Sequence, residues 1–147
     1  MCGIIAILRR PSTREVPTAD SILTLLAEAV DLMAGPDRGS PAERSARWVA
    51  EAAALTAEAD RLLSGVPGLL ALERDAGLAD QITAILSDLP GCIAALEALL
   101  EDEPDALDGI ETANAALVDL RDASWAVIRD RLGTHTGVAS LRSSRIP

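Results

Sequence analysis

Ser40-Pro41-Ala42-Glu43 opens the stretch that decides the fold, and Arg44-Ser45-Ala46-Arg47-Trp48-Val49-Ala50-Glu51-Ala52-Ala53-Ala54-Leu55 follows it. A Ser with a Glu three residues later is a capping box, and Pro at the first helical position sacrifices no hydrogen bond because that N–H would be unpaired anyway. Trp48, Val49, Ala52, Leu55, Ala59 and Leu62 then recur at helical spacing, which predicts a helix reaching Leu63 and stopped by Ser64-Gly65.

The same texture extends in both directions. Thr18 caps a predicted helix to Ala34 that carries Ile22, Leu25, Leu26, Ala29, Leu32 and Met33 on one stripe and closes at Gly35-Pro36. Beyond Gly65, a short apolar segment, Leu69 to Leu72, precedes Leu78, Ile82, Ile85, Leu86 and Leu89 at helical period. Pro90-Gly91 is expected to kink or break that helix, and Ile93, Leu96, Leu99 and Leu100 continue the stripe. Glu101 to Asp105, around Pro104, marks a turn. Leu107, Ile110, Ala113, Leu117, Leu120, Val127 and Ile128 describe a last long helix ended by Gly133. Amphipathic helices with short connections favour an up-and-down antiparallel bundle, and no fixed repeat supports a solenoid.

Composition agrees. Hydrophobic residues are 49% of the 147, but aromatics only 1%, with no Phe or Tyr, so the core must be Leu, Ile, Val and Ala, which suits packed helices better than sheets. The net charge of -10 opposes nucleic acid and anionic lipid as partners. Two cysteines, Cys2 and Cys92, without an export segment predict a reducing compartment, the cytoplasm, and no stretch approaches the length of an apolar membrane span.

One segment stands apart. Gly3-Ile4-Ile5-Ala6-Ile7-Leu8 is a continuous apolar, β-branched run bounded by Arg9, Arg10 and Pro11, which reads as a strand buried on both faces. A lone strand cannot pair its own backbone, so it requires a sheet that the rest of the sequence does not provide.

Met1-Cys2-Gly3-Ile4-Ile5-Ala6-Ile7 resembles the start of the class II glutamine amidotransferases, which are N-terminal nucleophile hydrolases. The resemblance implies removal of Met1 and attack by Cys2 on the side-chain amide of glutamine. The chemistry is sound on its own terms: a thiol of pKa about 8.5 and an α-amino group near 8 give one residue both nucleophile and matched base. Gly3, lacking a side chain, would let substrate approach Cys2 closely. The branch most similar is the glucosamine 6-phosphate synthase type, glutamine:fructose-6-phosphate aminotransferase, although asparagine synthetases also open with Met-Cys-Gly-Ile. The partners so implied are glutamine and a sugar phosphate, with no cofactor. The resemblance spans Met1 to about Leu8. Neither an Arg-Gly-x-Asp-Ser-Ala-Gly segment nor a His-Thr-Arg-Trp-Ala-Thr-His-Gly segment follows, and the Asn-Gly pair of the family's oxyanion hole is missing.

The expected architecture is therefore mainly α, one N-terminal strand followed by an antiparallel helical bundle, as part of a larger α+β protein. Residues 1–10 would be the first strand of an amidotransferase domain, 11–17 a linker, 18–133 a helical insertion and 134–147 an unfinished tail. The missing sheet would come from further sequence or another chain. The alternative is a non-enzymatic acidic helical interaction module in which Cys2 is incidental. Among the other residues, Cys92 reads as a small core hydrophobe and His135, the only histidine, as an exposed residue after a helix end. Glu101, Asp102, Glu103 and Asp105 lack the alternation and central Gly of a calcium loop. Trp48 and Trp125 read as bundle packing in preference to a partner surface.

Overall fold

Thr18 accepts a hydrogen bond from the Ser21 amide at 3.2 Å, and helix α1 begins one residue later, spanning Ala19–Met33. It is the first element of a computed structural model that describes residues 12–35, 41–101 and 107–143. Most of the described residues are helical and none of them lies in a strand, so the chain is mainly α. The expected strand, Gly3 to Leu8, lies outside them, as do Cys2 and Gly3 themselves.

Helix α2 spans Ala42–Leu63 and ends where expected, but it starts one residue later than the capping box predicts. Pro41 precedes the first turn with extended backbone, and its carbonyl accepts from the Arg44 and Ser45 amides at 2.9 and 3.1 Å. Ser64 and Gly65 then turn the chain sharply, Gly65 at φ 69, a left-handed value that L side chains avoid. Helix α3, Gly65–Arg74, folds straight back onto the end of α2. A Cβ at Gly68 would stand 1.9 Å from the Leu63 carbonyl oxygen, so the two backbones meet with no room for a side chain.

Helices α4, Leu78–Leu86, and α5, Leu89–Glu101, are separated at Ser87-Asp88, so Pro90 sits in the first turn of α5, where it is tolerated, and the break precedes it. Across that break Leu78, Ile82, Leu86, Leu89, Ile93, Leu96 and Leu100 keep one buried stripe. Contrary to the sequence expectation, the stretch Leu78–Glu101, which holds an 18-residue window of mean hydropathy 1.5, is long and apolar enough to cross a membrane by length and composition. In this fold its stripe faces the core.

Helix α6 spans Leu107–Trp125 and continues without a stop through a π-helical segment, Ala126–Leu132, into α7, Gly133–Ser143. Gly133 is helical (φ -62, ψ -41) and does not end the helix, and residues 134–143, expected as a tail, are helical. Winding at i→i+5 changes the buried face. An α period makes Ile128 a core residue after Val127, yet Ile128 is 38% exposed and Leu132, five residues past Val127, is 8% exposed.

The most extensive packing is α2 on α6, followed by α1 on α2. Late α1 (Glu28, Leu32) and Gly35 just beyond it lie beside early and middle α2 (Trp48, Glu51, Leu55), so that pair is antiparallel as expected. The pair α2 and α6 is not. Gly109 lies against Ala42 at the start of both helices, whereas Arg131 meets Asp60 near the end of α2, so the two run in the same direction. Helices α3 to α5 carry the chain back between them. The purely up-and-down expectation fails here because a long helix can return parallel once shorter helices cover the distance.

Two pairs of substitutions test this description. Leu132→Ala should cost about 2–4 kcal/mol of unfolding free energy and Ile128→Ala under about 1 kcal/mol, reversing the order that an α-helical period predicts. Gly68→Ala should destabilise by at least about 1–3 kcal/mol through overpacking, whereas Gly91→Ala, with no atom within 4 Å of its added Cβ, should be neutral or gain up to about 1 kcal/mol in the same denaturant titrations.

Candidate functional site

Two polar regions flank α2. The first is its C-terminal corner. Helices end with carbonyls that lack intrahelical donors, and a cation there also meets the negative end of the helix dipole. Arg14 supplies both: its guanidinium donates to the carbonyl oxygens of Arg61, Leu62 and Ser64 and to Ser64 Oγ, the Leu62 contact at 3.2 Å. Val16 packs partly buried against the core just before α1. The segment read as a linker is thus fastened to the bundle at both points.

At the same corner Arg131, from the π segment, makes a two-pronged contact with Asp60, Nε to Oδ1 at 2.8 Å and Nη2 to Oδ2 at 2.9 Å. Hydrogen bonding to Asp60 raises the Arg131 pKa above its ordinary value, which favours the charged guanidinium. His135 Nε2 lies 3.7 Å from Glu73 Oε1, which links α7 to α3 when the imidazole is protonated. The histidine is partly buried within a helix, not exposed after one, because α7 continues where the sequence suggested a stop. Ser12, Arg14, Ser64, Gly65, Val66, Pro67 and Arg131 enclose a hollow of about 500 Å³. Both guanidinium groups are already occupied, Arg14 by carbonyls and Arg131 by Asp60. The corner reads as a clamp between helices and not as an anion receptor.

The second region is a groove of about 490 Å³ between α1 and α2. Glu28, Asp31, Leu32 and Gly35 form one wall, and Trp48, Glu51 and Leu55 the other. The α1 residues fall at i, i+3, i+4 and the α2 residues at i, i+3, i+7, so two helix faces present carboxylates beside an indole and two leucines. Trp48 and Leu55, read from the sequence as core, are only partly buried. Trp125 departs further from the expected bundle packing: it is 59% exposed. Cys92, expected in the core, is partly buried and packs against it.

Among the described residues no group of three His, Cys, Asp or Glu side chains is placed to hold a metal ion. Comparison of the chain with protein-family models, curated proteins and solved structures finds no match. The nucleophile assigned from the sequence, Cys2, and Gly3 beside it lie outside the described residues, so neither region is connected to them by geometry. The groove itself was not read from the sequence. Acidic residues three apart on α1 signal a charged face, but which face of α2 lies opposite is set by packing.

A double-mutant cycle on Asp60→Asn and Arg131→Gln should give a coupling of about 1 kcal/mol in denaturant unfolding, the upper end for a partly exposed pair because the contact is bidentate. Zero coupling would show that the contact contributes nothing to holding the π segment on α2.

Proposed function

We propose that this chain carries the nucleophile of a glutamine-dependent amidotransferase, with Cys2 as that nucleophile and the helical bundle as an insertion following the first strand. One observation carries the reading: a Cys directly after the initiator Met, followed by Gly3 and the apolar run to Leu8. Each feature is common alone; together they supply a terminal thiol, an α-amino base and a strand able to place both in a buried sheet.

In the proposed reaction the α-amino group of Cys2 takes the thiol proton and the thiolate adds to the amide carbon of glutamine. The α-ammonium returns that proton to the amide nitrogen, and the tetrahedral adduct expels ammonia, leaving a glutamyl thioester. Water then cleaves the thioester to glutamate and restores the thiol. Ammonia would pass to a sugar phosphate, fructose 6-phosphate in the glucosamine 6-phosphate synthase type. No strand occurs among the described residues, so this reading requires a sheet and oxyanion donors beyond them. Such donors typically contribute a factor of about 100 to 1,000, so the chain by itself should turn over slowly or not at all. A cytoplasmic setting accords with a catalytic thiol that must stay reduced.

The bundle is compatible with an inserted unit. Its core runs from Ile22 to Leu132, and Arg14 fixes the incoming chain at the bundle surface. The second reading, an acidic helical interaction module with an incidental Cys2, draws support from the exposure of Trp125.

Intact-mass analysis of the chain purified from cells, with and without 6-diazo-5-oxo-norleucine, tests the assignment. The expected result is complete loss of Met1 and at most one adduct, mapping to Cys2 and abolished by Cys2→Ala. Retention of Met1 would place the α-amino group on the wrong residue and overturn it.

A further inference from the structure

Helix α3 is apolar on every side until its last turn. Of its residues, Gly65-Val66-Pro67-Gly68-Leu69-Leu70-Ala71-Leu72-Glu73-Arg74, only the final two carry charge. Pro67, Gly68, Ala71 and Leu72 are buried against the bundle, which accounts for one face. The other holds Val66, Leu69 and Leu70 at i, i+3 and i+4, and Val66 and Leu70 stand 51% and 40% exposed. A helix that is hydrophobic all round is ordinarily covered all round, and the described residues leave this face open. Val118, Trp125 and Ile128, also exposed, differ in standing among Asp119, Arg121, Asp122 and Arg129 along the chain.

The surface around Val66 is concave, and the polypeptide enters there. Beside the hollow that Val66 and Pro67 share with Ser12 and Arg14 lies a second, of about 210 Å³, with Leu63, Val66, Leu69 and Leu72 in its lining. Arg14 is tied to the carbonyls at the end of α2, directly before α3, which fixes Ser12 at the rim. Four residues before Ser12 the apolar run Ile4-Ile5-Ala6-Ile7-Leu8 ends. The steps from Leu8 to Ser12 span at most about 14 Å and α3 is about 15 Å long, so the tether reaches Val66 in its first turn and Leu70 in the next. Extended, the run itself measures about 16 Å, which matches the face to be covered.

We infer that residues Ile4 to Leu8 dock on the outer face of α3 of their own chain, seating apolar side chains against Val66, Leu69 and Leu70. The apolar run, its short tether and the position of Ser12 are the grounds for this occupant in preference to a second copy, because a tethered segment competes at high effective concentration. In an extended run Ile4, Ala6 and Leu8 share one face and Ile5 and Ile7 the other. Helix α3 covers one of these faces and leaves the backbone edges free for a sheet. The docking therefore neither needs nor excludes the chemistry proposed for Cys2.

The test is methyl NMR on the full chain with labelled Ile, Leu and Val methyls. Cross-peaks reporting short distances are expected from the methyls of Ile4, Ile5, Ile7 or Leu8 to those of Val66 and Leu70. Val66→Asp with Leu70→Asp should return the isoleucine methyls of the run to random-coil shifts. Val118→Asp with Ile128→Asp, which places equal charge on exposed positions of α6 and the π segment, should leave those shifts unchanged. Circular dichroism confirms that each variant stays helical, and the cross-peaks of the unmodified chain decide the matter even where a variant unfolds. A sample mixed from labelled and unlabelled chains separates contacts within a chain from contacts between chains. Random-coil shifts for the run in the unmodified chain would refute the inference, as would cross-peaks to another surface such as Val118. Cross-peaks arising only between chains would also overturn it, making α3 a contact between two copies.

Discussion

The close approach of α2 and α6 is the constraint on which the rest of the fold depends. With aromatics at 1% of residues, the bundle has few bulky side chains to fill wide gaps between helices, so its helices must come together on small ones. At the start of the seam a Cβ added to Gly109 would lie 3.1 Å from the Ala42 Cβ and 3.2 Å from the Glu43 nitrogen, tighter than most real contacts. Ala42, Ala46, Ala113 and Ala116 are all buried. Because these helices run in the same direction, the chain must be returned between them, and α3 to α5 do so by folding back sharply at Gly65 and breaking at Ser87-Asp88.

The far end of α2 is held differently. Arg14 neutralises its terminal carbonyls from the N-terminal side of the chain, while Arg131 reaches Asp60 from the C-terminal side. The π segment turns the helix that follows α6 so that Val127 and Leu132 face inward and Arg131 meets α2. Packing at one end and charge at the other thus fix the same helix, leaving its α1-facing edge with Trp48 and Glu51 beside the groove.

Much of the helical content could be read from residues alone. Thr18 caps α1, Leu63 ends α2, and the stripe from Leu78 to Leu100 survives a break near Pro90, because caps, prolines and apolar period act over a few residues. Departures appear where the period itself changes. Ile128 and Gly133 depart from the α-helical pattern because a π turn shifts the buried position by one residue and because a glycine can remain helical when the flanking turns continue. The Leu78–Glu101 stretch shows the same limit from another side: hydropathy alone does not distinguish a helix pair packed on a bundle from a membrane span.

The sequence by itself determined that the chain is mainly helical, which faces of most helices are apolar, and which residue, Cys2, the proposed chemistry would use. All of these depend on neighbours close along the chain. Only the tertiary structure decided that α2 and α6 are parallel, that Arg14 and Arg131 converge on one helix end, and that Glu28 and Asp31 of α1 line one groove with Trp48 and Glu51 of α2. Those facts join residues many turns apart. Helix period states which residues share a face, but the face that each helix meets is chosen by the fit of small side chains across the seam, and that fit exists only once the helices have packed.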